Sequence, residues 1–252
     1  MKKYTLVLLL SLFIFNCKSK EENKSDSKNK KAAELVISPL QHATAVITYN
    51  NTVIYIDPTG GKEAFEAFPK ANYVFITDIH GDHMDLKTLG SLDLTQATIV
   101  APKAVADKLP KELAASIQIM NNDDIKSFGN FSSEAIPMYN LREEALKFHN
   151  KSRGNGYVFT FGNERVYFSG DTEDIPEMRS LKNIDKAFVC MNLPYTMTVE
   201  SAADAVLEFK PKTVYPYHYR GTDGKSDVAK FKSLVATGDS KIEVVQWDWY
   251  KE

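Results

Sequence analysis

The segment Val74-Phe75-Ile76-Thr77-Asp78-Ile79-His80-Gly81-Asp82-His83-Met84-Asp85 decides the fold of this chain. Its first half is apolar and β-prone, and the six residues from position 78 to 83 then contain two histidines and two aspartates. A glycine between them lets the backbone turn tightly. The chain has only five histidines, and two of them lie in this one turn. The segment therefore predicts a metal-binding loop at the C-terminal end of a strand.

Outward from this loop, the chain alternates between β-like and helix-like stretches. Residues 35–56 contain three β-like runs that form a meander, and residues 62–120 alternate between strand and helix patterns, with helices predicted at 62–68 and 102–109. The same plan recurs in the second half, with β-like runs over 125–169 and alternation over 176–245, which includes a helix predicted at 199–209. Two mixed sheets that pack together, with helices on the outside, would satisfy both halves. The pattern predicts one α/β domain over residues 34–252.

The N-terminal residues predict a targeting segment, not part of the fold. Lys2 and Lys3 precede an apolar run from Thr5 to Phe15, which is shorter than the ~20 residues of a transmembrane helix. Cys17 follows, so residues 1–16 resemble the signal peptide of a bacterial lipoprotein. The alternative is a plain secretory signal or short anchor with an incidental cysteine. The lipoprotein interpretation predicts that lipidated Cys17 anchors the protein in the bacterial cell envelope, where it faces outside the cytoplasm.

The charge of the remaining chain limits its partners. Residues 17–33 are charged and nearly free of apolar side chains, which predicts a disordered tether. Without Lys2 and Lys3, 29 basic residues face 33 acidic ones, a net charge of −4. Nucleic-acid binding needs concentrated positive charge, so we expect a small-molecule substrate instead. With Cys17 lipidated, Cys190 is the only other cysteine, and no disulfide within the chain is expected.

Metal-capable residues also follow or precede strands in three later loops. His149 lies before a predicted strand, Asp171 follows another in Ser-Gly-Asp-Thr, and His218 ends the strand at 213–216. Strand-end loops are where a layered α/β fold places its functional site. We therefore expect these three residues to converge with the loop at 78–83.

The order of these elements resembles the metallo-β-lactamase superfamily of metal-dependent hydrolases. The order is Asp-x-His-x-Asp-His, then a single histidine, then Ser-Gly-Asp-Thr, then a histidine at a strand end. His42-Ala43-Thr44, followed by Ile54-Tyr55-Ile56-Asp57-Pro58, is similar to the branch that contains the ascorbate-6-phosphate lactonase. The resemblance covers residues 35–250. It implies a four-layer αββα sandwich of two mixed β-sheets, with one or two metal ions, usually zinc, between the sheets.

The resemblance also implies a role for each residue of the site. Asp82 would orient a metal-bound water, and His42 would lie near the mouth, where it contacts the substrate; both are candidate catalytic residues. Asp57 is interpreted as a structural residue that bonds local backbone. The expected ligands of the first metal are Asp78, His80 and His149, and those of the second are Asp82, His83 and His218, with Asp171 bridging the two.

Position 78 departs from the family pattern, which has histidine there. A carboxylate is a harder ligand than imidazole, which would shift the first metal from zinc toward manganese, iron or magnesium. Asp78 would also lower the positive charge of the site, so the pKa of bound water would fall less. The alternative is that Asp78 does not bind metal and only the second ion is held well.

These observations predict a metal-dependent hydrolase that uses a metal-bound hydroxide on an ester, a lactone or a phosphodiester. The alternative is a non-catalytic metal-binding scaffold of the same fold with a degenerate first metal site. A di-iron oxidoreductase is disfavoured, because such relatives carry glutamate in the first motif, where this chain has His80 and Asp82. Four basic residues are candidates for contacts with an anionic substrate, or else are solvated surface charges: Arg142, Lys147, Arg153 and Lys182.

Overall fold

The computed structural model describes residues 34–250. The predicted signal peptide, Cys17 and the whole tether therefore lie outside the described residues, and their roles stay predictions. Within residues 34–250, no helix is both long enough and apolar enough to cross a membrane.

The first half of the described chain forms a six-stranded mixed sheet. The strands follow one another across the sheet in chain order. The first three are antiparallel, and the third to the sixth are parallel. They are β1 (Leu35–Gln41), β2 (Thr44–Tyr49), β3 (Thr52–Ile56), β4 (Tyr73–Phe75), β5 (Thr98–Ala101) and β6 (Ser116–Ile119).

The second half forms a seven-stranded mixed sheet and a short hairpin. The sheet strands are β7 (Ile125–Ser127), β8 (Ser132–Met138), β9 (Gly154–Phe161), β10 (Glu164–Phe168), β11 (Lys186–Val189), β12 (Thr213–Pro216) and β15 (Glu243–Val244). The hairpin strands are β13 (Arg220–Gly221) and β14 (Gly224–Lys225). The order across the sheet is β15-β12-β11-β10-β9-β8-β7. In this sheet β10, β11, β12 and β15 pair in parallel. The strands β7, β8, β9 and β10 pair in antiparallel fashion.

Five short α-helices connect these strands, and two predicted helices are shorter than expected. The α-helices are α1 (Leu86–Ser91), α2 (Lys103–Ala106), α3 (Pro176–Arg179), α4 (Val199–Phe209) and α5 (Val228–Gly238). The helix predicted at 102–109 is reduced to α2, and the one predicted at 62–68 is a 3-10 turn over Lys62–Phe65. Both predicted segments end directly before a proline, Pro110 or Pro69, whose ring disfavours helical geometry in the preceding residue.

The alternation of side chains along β2 and β3 shows that the first sheet is covered on both faces. Ile47 and Ile54 point into the large core that contains the buried side chains of the second sheet. Their neighbours Val46 and Val53 point the other way, into a cluster with Leu89 of α1 and Val105 of α2. Successive strand residues face opposite sides, so the two clusters lie on opposite faces of one sheet. The predicted four-layer sandwich is confirmed.

Candidate metal centre

Asp171 lies at the point where the predicted ligands meet. It follows β10, and its Oδ2 atom is 3.3 Å from His149 Nε2 and 3.4 Å from His83 Nε2. Its Oδ1 atom is 3.5 Å from Nδ1 of His218, which follows β12. Distances of this size are those between two ligands of one ion bound at about 2.1 Å from each. The loops after β4, β10 and β12 thus converge with the loop before β9, as the strand-end pattern predicted.

Within residues 34–250, the side-chain atoms that could bind a metal form three groups. The first metal position consists of Asp78, His80 and His149, and the second consists of His83, Asp171 and His218. A third set, the mouth group, consists of His42, Asp82 and His218. The three residues predicted to bind the first metal therefore lie close together in the structure. Asp82 is predicted to share the second metal with His83 and His218, and the structure places its carboxylate 3.3 Å from His218 Nε2 and 3.3 Å from His42 Nε2.

The second metal position fits a divalent cation. Its three residues are almost completely buried, yet several of their polar atoms have no hydrogen-bond partner within residues 34–250. These atoms are His83 Nε2, Asp171 Oδ1 and both ring nitrogens of His218. Buried polar atoms are nearly always paired, because leaving one unsatisfied costs free energy. A metal ion held by imidazole nitrogens and a carboxylate oxygen would satisfy them.

Asp57, at the end of β3, holds His83 in the orientation that ligation needs. Its Oδ2 atom is 2.8 Å from His83 Nδ1 and accepts from the Thr77 hydroxyl at 2.6 Å. Its Oδ1 atom accepts from the Thr77 backbone N–H at 2.8 Å. A carboxylate that accepts the Nδ1 proton leaves Nε2 free for a metal. Asp57 thus binds local backbone, as predicted, and its carboxylate also positions the candidate ligand His83.

The second position concentrates negative charge around His83. Burial alone lowers the pKa of His83, but the charges of Asp171, Asp57 and Asp82 outweigh it and raise that pKa well above its usual value. Burial likewise raises the pKa of Asp171, and the charges of His218 and His83 reverse this and hold it well below its usual value. Without a metal, a proton on His83 compensates these carboxylates. A divalent cation would replace it.

Asp78 is paired with Arg153, which the sequence did not indicate. The fully buried carboxylate accepts two hydrogen bonds, from Arg153 Nε at 3.1 Å and from Nη2 at 3.0 Å. His80 Nδ1 lies 2.6 Å from Asp78 Oδ2. Burial raises the pKa of Asp78, but the hydrogen bond from His80 and the charges of His83, His80 and Arg153 lower it to about 2.

The Asp78–Arg153 pair changes two expectations. The argument that Asp78 lowers the charge of the site does not hold, because the guanidinium cancels the added negative charge. Arg153 is also neither a substrate contact nor a solvated charge. Arg142 is similarly engaged, since its Nε donates to the buried Glu173 at 2.8 Å.

A pocket of about 400 Å³ opens onto these groups. Its volume lies within the usual range for small-molecule sites. Several of the candidate metal and mouth residues line it, together with Phe148 and Tyr195 from two separate loops. The pocket is lined by His42, His80, Asp82, Phe148, His149, Asp171, Asn192, Tyr195, Arg220, Gly221 and Thr222.

His42 and His218 are held in unusual backbone conformations at the mouth. Their φ angles are 51° and 45°, in the left-handed region that few residues other than glycine adopt. Their rings lie 3.9 Å apart, and the His218 backbone N–H donates to the His42 carbonyl at 3.2 Å. Such strain clusters at functional sites, where the surrounding structure maintains it.

Tyr250 links the mouth group to Arg220. The Tyr250 hydroxyl accepts from the Arg220 backbone N–H at 3.0 Å and lies 2.7 Å from His42 Nδ1. Burial, the largest effect on the pKa of His42, lowers it below its usual value, so the ring is neutral at pH 7. The hydroxyl then donates to Nδ1, and the His42 Nε2 proton donates to Asp82 at 3.3 Å. Sequence reasoning missed Tyr250 because no pattern marks it.

Known proteins resemble this chain over most of its length. The family model described as the Beta-lactamase superfamily domain matches residues 54–219. The UPF0173 metal-dependent hydrolase of Thermococcus onnurineus is 30% identical over 223 residues, which cover 82% of this chain and 93% of the relative. A crystal structure of a Parabacteroides distasonis protein, assigned to the metal-dependent hydrolases, has 39% identity and a TM-score of 0.76. That match covers 85% of this chain and 93% of the other.

A more distant structure shares the fold. The metallo hydrolase Igni18 of Ignicoccus hospitalis has 19% identity and a TM-score of 0.71, and the match covers 86% of this chain and 96% of the other. These relatives do not distinguish between branches, so the lactonase-like branch stays a prediction. Because the family model matches more than half of the chain and the sandwich carries its candidate ligands at the expected strand ends, the chain belongs to the metallo-β-lactamase superfamily.

Proposed function

We propose that this protein is a metal-dependent hydrolase that cleaves an ester, a lactone or a phosphodiester. The observation that carries the proposal is the buried second metal position, whose unsatisfied nitrogen and oxygen atoms lie beside the pocket. The names of its relatives, which include metal-dependent hydrolases, support the same reaction class. Zinc is the expected ion, because imidazole nitrogens supply most of the ligands.

His83, Asp171 and His218 would hold a divalent ion, which would supply Lewis acidity at the pocket. Asp82 is placed to accept a proton. Burial raises the pKa of Asp82, but the charge of His83 and the close imidazoles of His218 and His42 bring it well below its usual value. Its side chain is 44% exposed and lines the pocket, so an ionised carboxylate faces the substrate. The neutral His42 fixes the orientation of that carboxylate.

Metal removal tests the hydrolase. Chelation of the bound ion with EDTA is expected to abolish hydrolysis across a panel of esters, lactones and phosphodiesters, because the polarising cation is lost. Zinc or manganese should restore it, and EDTA already saturated with zinc provides the control. If EDTA changes neither the metal content nor the hydrolysis of any panel member, the proposal is wrong.

The substrate we propose carries an anionic group. Arg220 lines the pocket, with its guanidinium 4.7 Å from the centre of the Tyr250 ring, and Lys225 Nζ lies 5.2 Å from the same ring. Neither cation forms an ion pair with any residue in the range 34–250. Stacking on an aromatic ring orders a cation without neutralising its charge. A carboxylate or phosphate on the substrate would supply the missing partner.

Arg220→Gln tests this substrate class. We expect KM for a carboxylate- or phosphate-bearing ester to rise about tenfold, because a charge-assisted hydrogen bond is lost. The KM of the matching neutral ester should stay the same. Lys182→Gln, which removes an exposed charge away from the pocket, is the control. Equal effects on the charged and the neutral ester would show that Arg220 does not recognise charge.

The alternative of a non-catalytic scaffold is supported by one observation. Arg153 engages both oxygens of Asp78, so the first position offers fewer free ligand atoms than the second. A scaffold would bind a divalent ion and hydrolyse no member of the panel at any metal concentration. Turnover that depends on the metal separates the two functions.

A further inference from the structure

We propose that Arg153 makes the two metal positions unequal: the second position takes the first divalent ion tightly, and the first position binds another ion only weakly. The inference rests on the metal binding that the proposed function assumes, but not on hydrolysis. It assigns to Arg153 a role in positioning Asp78 and setting its charge. Arg153 itself does not contact the ion.

The ligand atoms of the two positions differ in what already contacts them. In the second position, the buried atoms that would face an ion have no hydrogen-bond partner within residues 34–250. In the first position, both oxygens of Asp78 accept from Arg153, and Oδ2 also faces His80 Nδ1. Only His149 Nε2 resembles the atoms of the second position, since it is buried and without a partner.

An incoming cation can displace the contact from His80 but not the one from Arg153. An imidazole nitrogen gives up its proton when it binds a metal, so His80 changes from a competitor for Asp78 into a second ligand. A guanidinium cannot give up its proton in a protein. Its positive charge therefore stays beside Asp78 and opposes the approach of a divalent ion.

Arg153 is fixed in this place by the same loop that carries His149. Its Nη2 atom donates to the Phe148 carbonyl at 2.5 Å, and its backbone N–H donates to the Asn150 carbonyl at 3.3 Å. The side chain is mostly buried, with 16% exposure. These contacts hold the guanidinium beside Asp78. Arg153 also ties His149 to the first position.

Two substitutions separate the charge of Arg153 from its contacts. Arg153→Gln keeps one amide donor where Arg153 Nε faces Asp78, but it removes the positive charge and the contact of Nη2 with the Phe148 carbonyl. Arg153→Lys keeps the charge but loses the two-point geometry. Zinc is titrated into the metal-free full chain of each variant in competition with a chromophoric chelator, so the readout is affinity and stoichiometry, independent of activity.

We expect the wild type to bind one zinc ion at least about 100-fold more tightly than a second. Arg153→Gln should strengthen the second binding event about tenfold, in line with the size of effects from residues behind metal ligands. Arg153→Lys should stay within about threefold of the wild type. Circular dichroism checks that each variant is folded, and Arg153→Lys keeps the test decisive if Arg153→Gln does not fold.

Three results would overturn the inference. Two zinc ions bound with affinities within threefold of each other in the wild type would show equal positions; if hydrolysis still depended on metal, the proposed function would stand. A weaker second ion in Arg153→Gln would show that Arg153 supports ligation. The absence of any zinc binding would overturn the proposed function as well.

Discussion

Asp171→Asn is expected to weaken binding of the divalent ion by at least about 100-fold and to reduce kcat/KM for hydrolysis accordingly. Asp171 is the carboxylate that lies 3.3 to 3.5 Å from His149, His83 and His218, and it is almost fully buried. Asparagine has nearly the same shape but lacks the negative charge. Effects of about 10–100-fold are typical for residues behind metal ligands, so the loss of a ligand itself should be larger.

Asp174→Asn is the matched control for this prediction. Asp174 lies three residues further along the chain and pairs with Arg179 at 2.5 Å, away from the pocket lining. It loses the same charge by the same substitution, and it should bind zinc as the wild type does. Zinc titration of the metal-free proteins measures the affinities. Wild-type affinity in Asp171→Asn would exclude Asp171 from the ligand set.

Asp57→Asn is expected to lower the free energy of unfolding of the metal-free protein by about 2–4 kcal/mol, because it leaves buried donors unpaired. Asp57 accepts hydrogen bonds from the Thr77 backbone N–H and from the Thr77 hydroxyl, and its Oδ2 atom contacts His83 Nδ1. An amide nitrogen in place of Oδ2 would face these last two donors instead of accepting from them. Asparagine tolerates the φ of 43° at this position, so backbone strain does not explain the loss.

The same substitution should weaken zinc binding by about 10–100-fold, because His83 loses the partner that orients its ring. Thr77→Val is the control, since it removes the hydroxyl that contacts Asp57 Oδ2 and His83 Nδ1 but leaves the Asp57 carboxylate beside His83. It should cost about 1 kcal/mol. Urea unfolding of the metal-free proteins measures stability, and zinc titration measures affinity. A change below about 0.5 kcal/mol together with unchanged zinc affinity in Asp57→Asn would contradict this role.

The two predictions distinguish a residue that binds the metal directly from one that positions a metal ligand. Asp171→Asn removes a group that would touch the ion, whereas Asp57→Asn removes one that acts through His83. Asp57→Asn should therefore destabilise the protein in the absence of any metal. The unfolding measurement distinguishes these roles without an activity assay.

Much of the fold could be predicted from local patterns in the sequence. The continuous apolar runs Ala45–Ile47 and Val53–Ile56 predict strands, and the structure has β2 and β3 there. The helix predicted over Val199–Phe209 has the observed bounds, and its N-cap Thr198 accepts a hydrogen bond from the Ser201 N–H. The helices predicted at 62–68 and 102–109 are shorter in the structure, where turns replace their last residues before Pro69 and Pro110.

The contacts that orient the candidate ligands and set their charge could not be predicted from local patterns. Asp57 and His83 are 26 residues apart, Asp78 and Arg153 are 75 apart, and His42 and Tyr250 are 208 apart. No local pattern pairs an arginine in one loop with an aspartate in another. Arg153 was therefore interpreted as a substrate contact or a surface charge, although it is the buried partner of Asp78.

The sequence by itself determined which residue types end which strands, and from this the sandwich and the candidate ligands follow. Strand periodicity and loop position are local properties, and parallel strands bring their carboxyl ends together. Only the tertiary structure decided that Asp57 orients His83, that Arg153 neutralises Asp78, and that Tyr250 links His42 to Arg220. Each of these contacts is a hydrogen bond between distant segments, and its direction and charge depend on distances of about 3 Å.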